Sequence, residues 1–387
     1  MALRPTLSKF STETEMSESV PAEVFSPGDY LKEELESRGW TQVELSEILG
    51  RPPRLISEIV AAKRAITPET AKGLAAALGT SAELWMNLES RYRLATTKLE
   101  TSAVSRRARL YSKFPVKEMI RRGWVADADS LTELEKNFCE YFGIASPDET
   151  PIFRHAAKKH RYDGPDQALQ LAWLIRAECV AREVKAAAFS AEALRAAVEQ
   201  LKDCLSDVED IRRVPGLLAD AGVRFVVVEF LPGAKLDGAC FWVDRGRSPV
   251  IVLSLRLDRL DNFWHTLFHE IDHILNGEGK DSPVVDCLEM QPEGGKGLPT
   301  QERRANQAAA NYCIDRGALD LWLTQTSRAF SRKNIITFAH RVHVHPALVV
   351  GQLQYRGIIP YSFHRDLLVK IRSLVLETAI ADGFDGR

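Results

Sequence analysis

Thr41-Gln42-Val43-Glu44-Leu45-Ser46-Glu47-Ile48-Leu49-Gly50, continued by Arg51-Pro52-Pro53-Arg54-Leu55-Ile56-Ser57-Glu58-Ile59-Val60-Ala61-Ala62-Lys63, reads as two short helices joined by a tight turn. Thr41 with Glu44 three residues on is a capping box, Gly50 is a residue on which helices stop, and proline at 52 suits a first turn. This is the layout of a helix-turn-helix, whose second helix presents polar groups to base edges. Arg51 and Arg54 fall at the start of that helix, where an arginine can pair bidentately with guanine. Ser57, Lys63 and Arg64 are placed to reach further bases or phosphates, and Gln42 to bond a phosphate. Spacing alone leaves open that these are only exposed polar residues on a helical bundle.

Working outward, the same punctuation repeats. Ser26-Pro27 and Thr67-Pro68 set a cap before a first-turn proline, Thr80-Ser81-Ala82-Glu83 reads as another capping box, and Gly39 and Gly79 stand at further helix ends. Five helices are predicted, at about 27–38, 41–49, 52–62, 68–78 and 81–97, with Leu31, Leu35, Leu45, Ile48, Leu49, Ile56, Ile59, Leu74 and Leu78 as the apolar stripes. Residues 1–25, rich in Ser, Thr and Glu, read as a disordered leader without the apolar core of a signal peptide. Between Arg91 and Arg122, ten Lys or Arg face only Glu100 and Glu118. Such a stretch is either a solvated helix face or a phosphate contact beside the helix-turn-helix.

At 387 residues the chain is long for one core and favours two or three domains. An apolar share of 45%, a charged share of 27% and a formal charge of −2 are ordinary for a cytoplasmic globular protein, and no apolar run suggests a membrane span. The six cysteines, at 139, 179, 204, 240, 287 and 313, form no C-x-x-C pair, which argues against a disulfide framework or a cysteine zinc knuckle. From 99 to 215 the chain reads as a helical middle segment, with helices over 168–188 and 191–205 and a break around His160–Pro165. Val223–Leu231, Gly238–Val243 and Pro249–Leu255 then read as strands of a small sheet. A Gly/Pro-rich loop over 277–299 precedes a helix at about 301–314 and further helices around 319–355 and 364–381. The predicted class is mainly α with a small β-sheet, α+β.

The second informative stretch is Phe263-Trp264-His265-Thr266-Leu267-Phe268-His269-Glu270-Ile271-Asp272-His273. Histidines four apart on a helix project from one face and can bind one Zn²⁺. Glu270 between them sits where a general base takes a proton from water and passes it to a leaving amine. His265, one turn earlier, extends the stripe and reads as a core or supporting residue. Asp281 or Asp286 is a candidate to orient a ligand imidazole, and one of His340, His343 and His345 a candidate to stabilise an oxyanion.

Two resemblances add to this. Ser26-Pro27-Gly28-Asp29-Tyr30-Leu31, residues 41–50, Ser57-Glu58-Ile59, residues 63–71 and Leu84-Trp85-Met86-Asn87-Leu88-Glu89-Ser90-Arg91-Tyr92 resemble HigA-type antitoxins of the XRE helix-turn-helix family. That resemblance, over about residues 25–95, implies a lambda-repressor-like domain at 26–98, a homodimer, a palindromic double-stranded DNA operator and a RelE-like toxin as partner. Pro52-Pro53 departs from the pattern and removes two backbone donors. Ser254-Leu255-Arg256, residues 263–273, Lys280-Asp281, Glu302-Arg303-Arg304-Ala305-Asn306 and Val349-Val350-Gly351-Gln352-Leu353-Gln354 resemble the ImmA/IrrE metallopeptidases. The implication is a zincin-like domain over 216–387 with Glu302, 33 residues after His269, as third zinc ligand and a repressor or other regulatory protein as substrate. Asp272, where a small residue is usual, and Ala308, where Phe is usual, depart from it. The expectation is a DNA-binding regulator or antitoxin with a zinc-dependent endopeptidase domain; the alternative is a non-catalytic repressor and toxin-neutralising antitoxin whose C-terminal part is a sensor or partner-binding module.

Overall fold

The computed structural model describes residues 25–97, 101–153, 165–286, 299–326 and 330–384. The predicted leader up to residue 24, Lys98, Cys287, most of the break at His160–Pro165 and the loop from 287 to 298 lie outside the described residues. The chain divides into two compact units, residues 1–101 and 102–387.

The first unit holds five helices, α1 Pro27–Arg38, α2 Gln42–Leu49, α3 Pro53–Val60, α4 Pro68–Leu78 and α5 Ala82–Thr96. Local chemistry sets their ends. Ser26 with Asp29 and Thr41 with Glu44 form full capping boxes, Thr67 and Ser81 cap α4 and α5, and Gly39, Gly50 and Gly79 adopt left-handed φ of 59° to 67°. At the start of α5 the cap is Ser81 alone: Thr80 Oγ1 instead accepts the Trp85 indole N–H at 2.8 Å. Leu31, Leu35, Leu45, Ile56, Ile59, Leu74, Leu78 and Trp85 form the core. Ile48, expected in the apolar stripe, is 51% exposed, because Leu45 and Leu49 occupy the inward face of so short a helix. Gly28 lets α1 lie on α3 backbone to backbone, since a Cβ there would fall 2.4 Å from the Ile59 carbonyl oxygen.

The second unit begins with α6 Thr101–Lys113, α7 Val116–Arg121, α8 Leu131–Phe142, α9 Pro165–Ala181, α10 Ala191–Asp203 and α11 Val214–Asp220. The sheet strands β1 Arg224–Val227, β2 Gly238–Val243 and β3 Ser248–Leu253 precede α12 Leu260–Leu275 and β4 Val284–Asp286. Then come α13 Thr300–Cys313, α14 Arg316–Gln325, α15 Arg332–Arg341, α16 Pro346–Tyr355, α17 Arg372–Leu376 and β5 Ile380–Ala381. The sheet order is β4-β2-β3-β1-β5, with β1 parallel to β3 and β5, and β2 antiparallel to β3 and β4.

Alternation along the strands sends side chains to two cores. Phe225, Cys240, Trp242, Ile251 and Leu253 face α10–α16, whereas Val226, Ala239, Phe241, Val250 and Val252 face α6–α9. Burial on both faces explains the unbroken apolar runs of β2 and β3. The helices of the predicted 99–215 segment that follow residue 101 fall within this unit, one group on each face of the sheet. Much of the basic stretch is absorbed here too. Arg106 pairs with Glu135, Lys113 donates to the Pro147 carbonyl at 2.6 Å, and Arg122 donates to Glu118 at 2.6 Å and to the carbonyls of Glu229 and Phe230 at 2.8 Å.

Several boundaries differ from expectation. The first strand is only four residues, the predicted 168–188 helix ends at Ala181, and 364–381, expected to be helical, holds a 3-10 turn, the short α17 and the edge strand β5, whereas the helices expected around 319–355 are α14, α15 and α16. Two- and three-residue strands such as β5 and β4 carry too little pattern to be seen in sequence. Among the described residues no disulfide joins the cysteines, and no helix is long and apolar enough to cross a membrane.

Candidate functional site

α12 is amphipathic only in part: from Phe263 to Ile274 every residue except His265 is buried, so the whole turn carrying His269, Glu270 and His273 is enclosed. Both imidazoles are 0% exposed on one face of the helix. The small residues Ala305 and Ala309, also 0% exposed, line the inward face of α13, and this helix brings Glu302 to the histidines. His269 Nε2 lies 2.9 Å from His273 Nε2, and Glu302 Oε2 lies 3.2 Å from the first and 3.6 Å from the second. Three donors bound tetrahedrally at ~2.0–2.1 Å would be about 3.3 Å apart, so the spacing suits zinc. Among the described residues this is the one group of three or more His, Cys, Asp or Glu whose ligand atoms converge in this way.

The surroundings fix the donors' protonation. His273 Nδ1 lies 2.5 Å from Glu278 Oε2; a proton on Nδ1 donated to that carboxylate leaves the Nε2 lone pair facing His269 and Glu302. Burial works against ionising Glu302, yet the hydrogen bonds its carboxylate accepts from His269 and His273 when their Nε2 atoms carry protons outweigh it and hold its pKa at about 2; a bound cation would take the place of those protons. Arg304 donates to Glu278 at 2.8 and 3.1 Å and to Asp272 at 2.8 Å. The unusual Asp272 is thus one end of a clamp joining α12, α13 and the turn after α12.

Glu270, 0% exposed, lies against β2: a Cβ on Gly238 would fall 2.9 Å from its Oε1. Burial first, and then the Glu270 charge, push the neighbouring Cys240 thiol well above its ordinary pKa. His265 Nε2 is 3.4 Å from Asn306 Oδ1, and burial followed by nearby His269 lowers its pKa to about 4. It is therefore a neutral neighbour of the cluster.

The carboxylate on His273 Nδ1 is Glu278; Asp281 is exposed, and the side chain of Asp286 lies outside the described residues. The sequence reading passed over Glu278; a carboxylate just past a helix-ending glycine, Gly277 at φ 73°, is the signal that could have found it. Arg304 was visible only as part of the E-x-x-A-N motif. His340 and His343 are exposed at the end of α15, and His345 Nδ1 caps α16 by accepting from Ala347 N at 3.1 Å.

In the first unit, Gln42, Arg51, Arg54, Ser57, Lys63 and Arg64 are all exposed. Gln42 opens α2, Arg51 lies in the turn, and Arg54 and Ser57 sit on α3. Lys63 and Arg64 fall beyond α3, which ends two residues before the predicted 62. Ala62 takes a left-handed φ of 53° there, and the N–H groups of Lys63 and Arg64 return to the Glu58 carbonyl at 2.9 and 3.2 Å. Glu58 accepts from Arg54 at 2.7 Å and Arg64 at 3.0 Å, and Arg51 pairs with Glu69. Pro52 provides no side-chain cap for α3, and its carbonyl instead accepts from Leu55 N at 2.9 Å.

A helix-turn-helix family model matches residues 31–85. The chain is 32% identical over 87 residues to an uncharacterised HTH-type transcriptional regulator, YddM, of Escherichia coli strain K12, a match spanning 22% of this chain and 92% of that protein. Among solved structures it is similar to an addiction module antidote protein of a HigA family from Coxiella burnetii, at 30% identity, covering 22% of this chain and 92% of that one with a TM-score of 0.20. It is also similar to the Pseudomonas aeruginosa antitoxin HigA solved with the higBA promoter, at 28% identity, covering 23% and 91% with a TM-score of 0.19.

Proposed function

Because the chain belongs, through residues 31–85, to the helix-turn-helix family of transcriptional regulators, we propose that its first unit binds operator DNA and that its second is a zinc-dependent endopeptidase of the ImmA/IrrE type. The observation that carries the second half is the convergence of His269, His273 and Glu302 at tetrahedral spacing, with Glu270 next along the helix. When bound, zinc supplies Lewis acidity that brings the pKa of water to about 7. Glu278 holds the His273 tautomer that offers Nε2, and the Arg304 clamp keeps Glu302 in register with the histidines. Glu270 takes a proton from water and returns it to the leaving amine. In the first unit, Arg51 and Arg54 exchange Glu69 and Glu58 for base edges or phosphates, an exchange that exposed ion pairs resist weakly. Gln42, Ser57, Lys63 and Arg64 complete the interface, and a homodimer on a palindromic operator is the expected assembly. A RelE-like toxin or a regulatory protein substrate is the expected protein partner.

The test is one preparation measured twice. Purified full chain is expected to hold one zinc, lost in His269→Ala and Glu302→Ala but kept in Glu270→Gln, which abolishes cleavage of a peptide library; full zinc in both ligand variants would sink the metal assignment. On duplexes tiling the region upstream of its own reading frame, Arg54→Ala should weaken specific binding by about 1–3 kcal/mol. The complete burial of His269, Glu270 and His273 favours a second reading, a non-catalytic sensor or partner-binding unit. Retained zinc with no cleavage by the unmodified protein, and repression unchanged in Glu270→Gln, would select it.

A further inference from the structure

From the segment Val349-Val350-Gly351-Gln352-Leu353-Gln354, which the metal cluster leaves unused, Gly351 and Gln352 join Leu348 and Tyr355 as the α16 wall of a cleft between α12 and α16. The cleft, of about 80 Å³, has room for a side chain of a few heavy atoms. It reaches His265, whose ring is 6.4 Å from that of His269 and 5.8 Å from that of Tyr355. The cleft therefore opens one helical turn from the cluster.

Hydrogen bonds and close packing around this wall hold it in place. Gly351 accommodates Asp261, whose Oδ2 would be 2.3 Å from any Cβ there. Arg259 donates to both Asp261 oxygens, at 3.0 and 2.6 Å, and to Gln354 Oε1 at 3.0 Å. Gln354 Nε2 in turn donates to the carbonyls of Phe363 at 3.1 Å and Tyr361 at 3.4 Å. Arg259 and Asp261 are the charged side chains of the lining, and they neutralise one another.

Gln352 is different. It is 7% exposed, its Nε2 donates to the Ala310 carbonyl at 3.5 Å, and its buried Oε1 has no hydrogen-bond partner among the described residues. A buried acceptor left unmade costs about 1–3 kcal/mol, which a donor entering the cleft would recover once the Gln352 side chain turns its oxygen toward it. Leu257, Cys313 and Leu348 supply apolar contact for a methylene stem, and Asn262 on α12 and Tyr355 on α16 supply polar groups.

We propose that this cleft is a side-chain subsite beside the metal cluster, taking a neutral, hydrogen-bond-donating side chain of the carboxamide class from a peptide. The carboxamide N–H donates to Gln352 Oε1, and its stem lies on the apolar floor. Acidic and basic side chains meet no counter-charge there. That the peptide is a substrate rests on the peptidase reading; that the cleft binds a carboxamide does not.

The test titrates N-acetyl, C-methylamide derivatives of glutamine, methionine, glutamate and lysine into the full chain carrying Glu270→Gln with zinc added, read by ligand-observed NMR. Capped glutamine is expected to bind about tenfold more tightly than capped methionine, one hydrogen bond's difference. Gln352→Leu should erase that preference, and Gln352→Glu, which keeps a buried acceptor, should move it to capped lysine. Equal binding of glutamine and methionine, no binding of either, or a glutamine preference that survives Gln352→Leu would overturn the subsite. Cleavage is scored separately with the unmodified protein. An intact carboxamide preference without cleavage removes the peptidase reading and leaves the subsite standing, whereas cleavage indifferent to carboxamide side chains removes the subsite alone.

Discussion

Gly238 shows how little room surrounds the proposed base. A Cβ at this position would lie 2.7 Å from Thr266 Cγ2, 2.9 Å from Glu270 Oε1 and 3.1 Å from Leu253 Cδ2. Two of those atoms belong to a buried helix that cannot retreat, so Gly238→Ala must displace the Glu270 carboxylate. The expected outcome is a destabilisation of about 1–3 kcal/mol in urea unfolding, with zinc content unchanged and peptide cleavage lost. In the sequence Gly238 is no more than the start of a strand; its constraint comes from a helix more than twenty residues further on. Arg54 and Arg64 were legible as basic residues near a recognition helix, but their shared attachment to Glu58 was not, because six residues separate Arg64 from Glu58 across a left-handed turn.

Among the elements, α12 and α13 make the most informative pair. The helical placement of His269 and His273 was readable from their spacing, since residues four apart stack on one face. The register of α13 against α12 was not, and the structure sets it through two buried alanines and the Arg304 bridge to Asp272 and Glu278. Glu278→Gln keeps the shape of that bridge but removes the charge facing His273 Nδ1. Zinc affinity, measured by chelator competition, should fall about 10–100-fold while far-ultraviolet dichroism stays unchanged, as expected when the partner orienting a metal ligand is weakened. An unchanged affinity would mean that Glu278 serves packing alone. In the first unit the contrast is milder: caps and glycines were readable, yet α3 stops early because its final turn closes through Ala62 without a glycine to announce it.

At the scale of the whole molecule, the two units have separate cores. Leu31, Leu45, Ile56 and Trp85 belong to one cluster, and both faces of the sheet to two others. Each should unfold as its own cooperative unit, giving two calorimetric transitions. Leu45→Ala, which empties a fully buried site in the first core, should lower one transition by about 2–5 kcal/mol and leave the second in place; a single transition moved as a whole would show that the cores are coupled. The sequence by itself determined what lies within a helical turn or a strand's alternation: the five short helices, four of them capped by side chains, the three longer strands, the paired histidines with Glu270 between them, and the basic groups on and just after α3. The tertiary structure decided what depends on distant segments meeting: the convergence of Glu302 on the histidines, Glu278 and Arg304 in place of Asp281, the placement of residues after 101 on both faces of the sheet, and the cleft lined by Gly351 and Gln352. The division has a physical cause. Caps, turns and periodicity are energies between near neighbours along the chain, whereas ligand sets and clefts arise only when burial selects which distant faces pack.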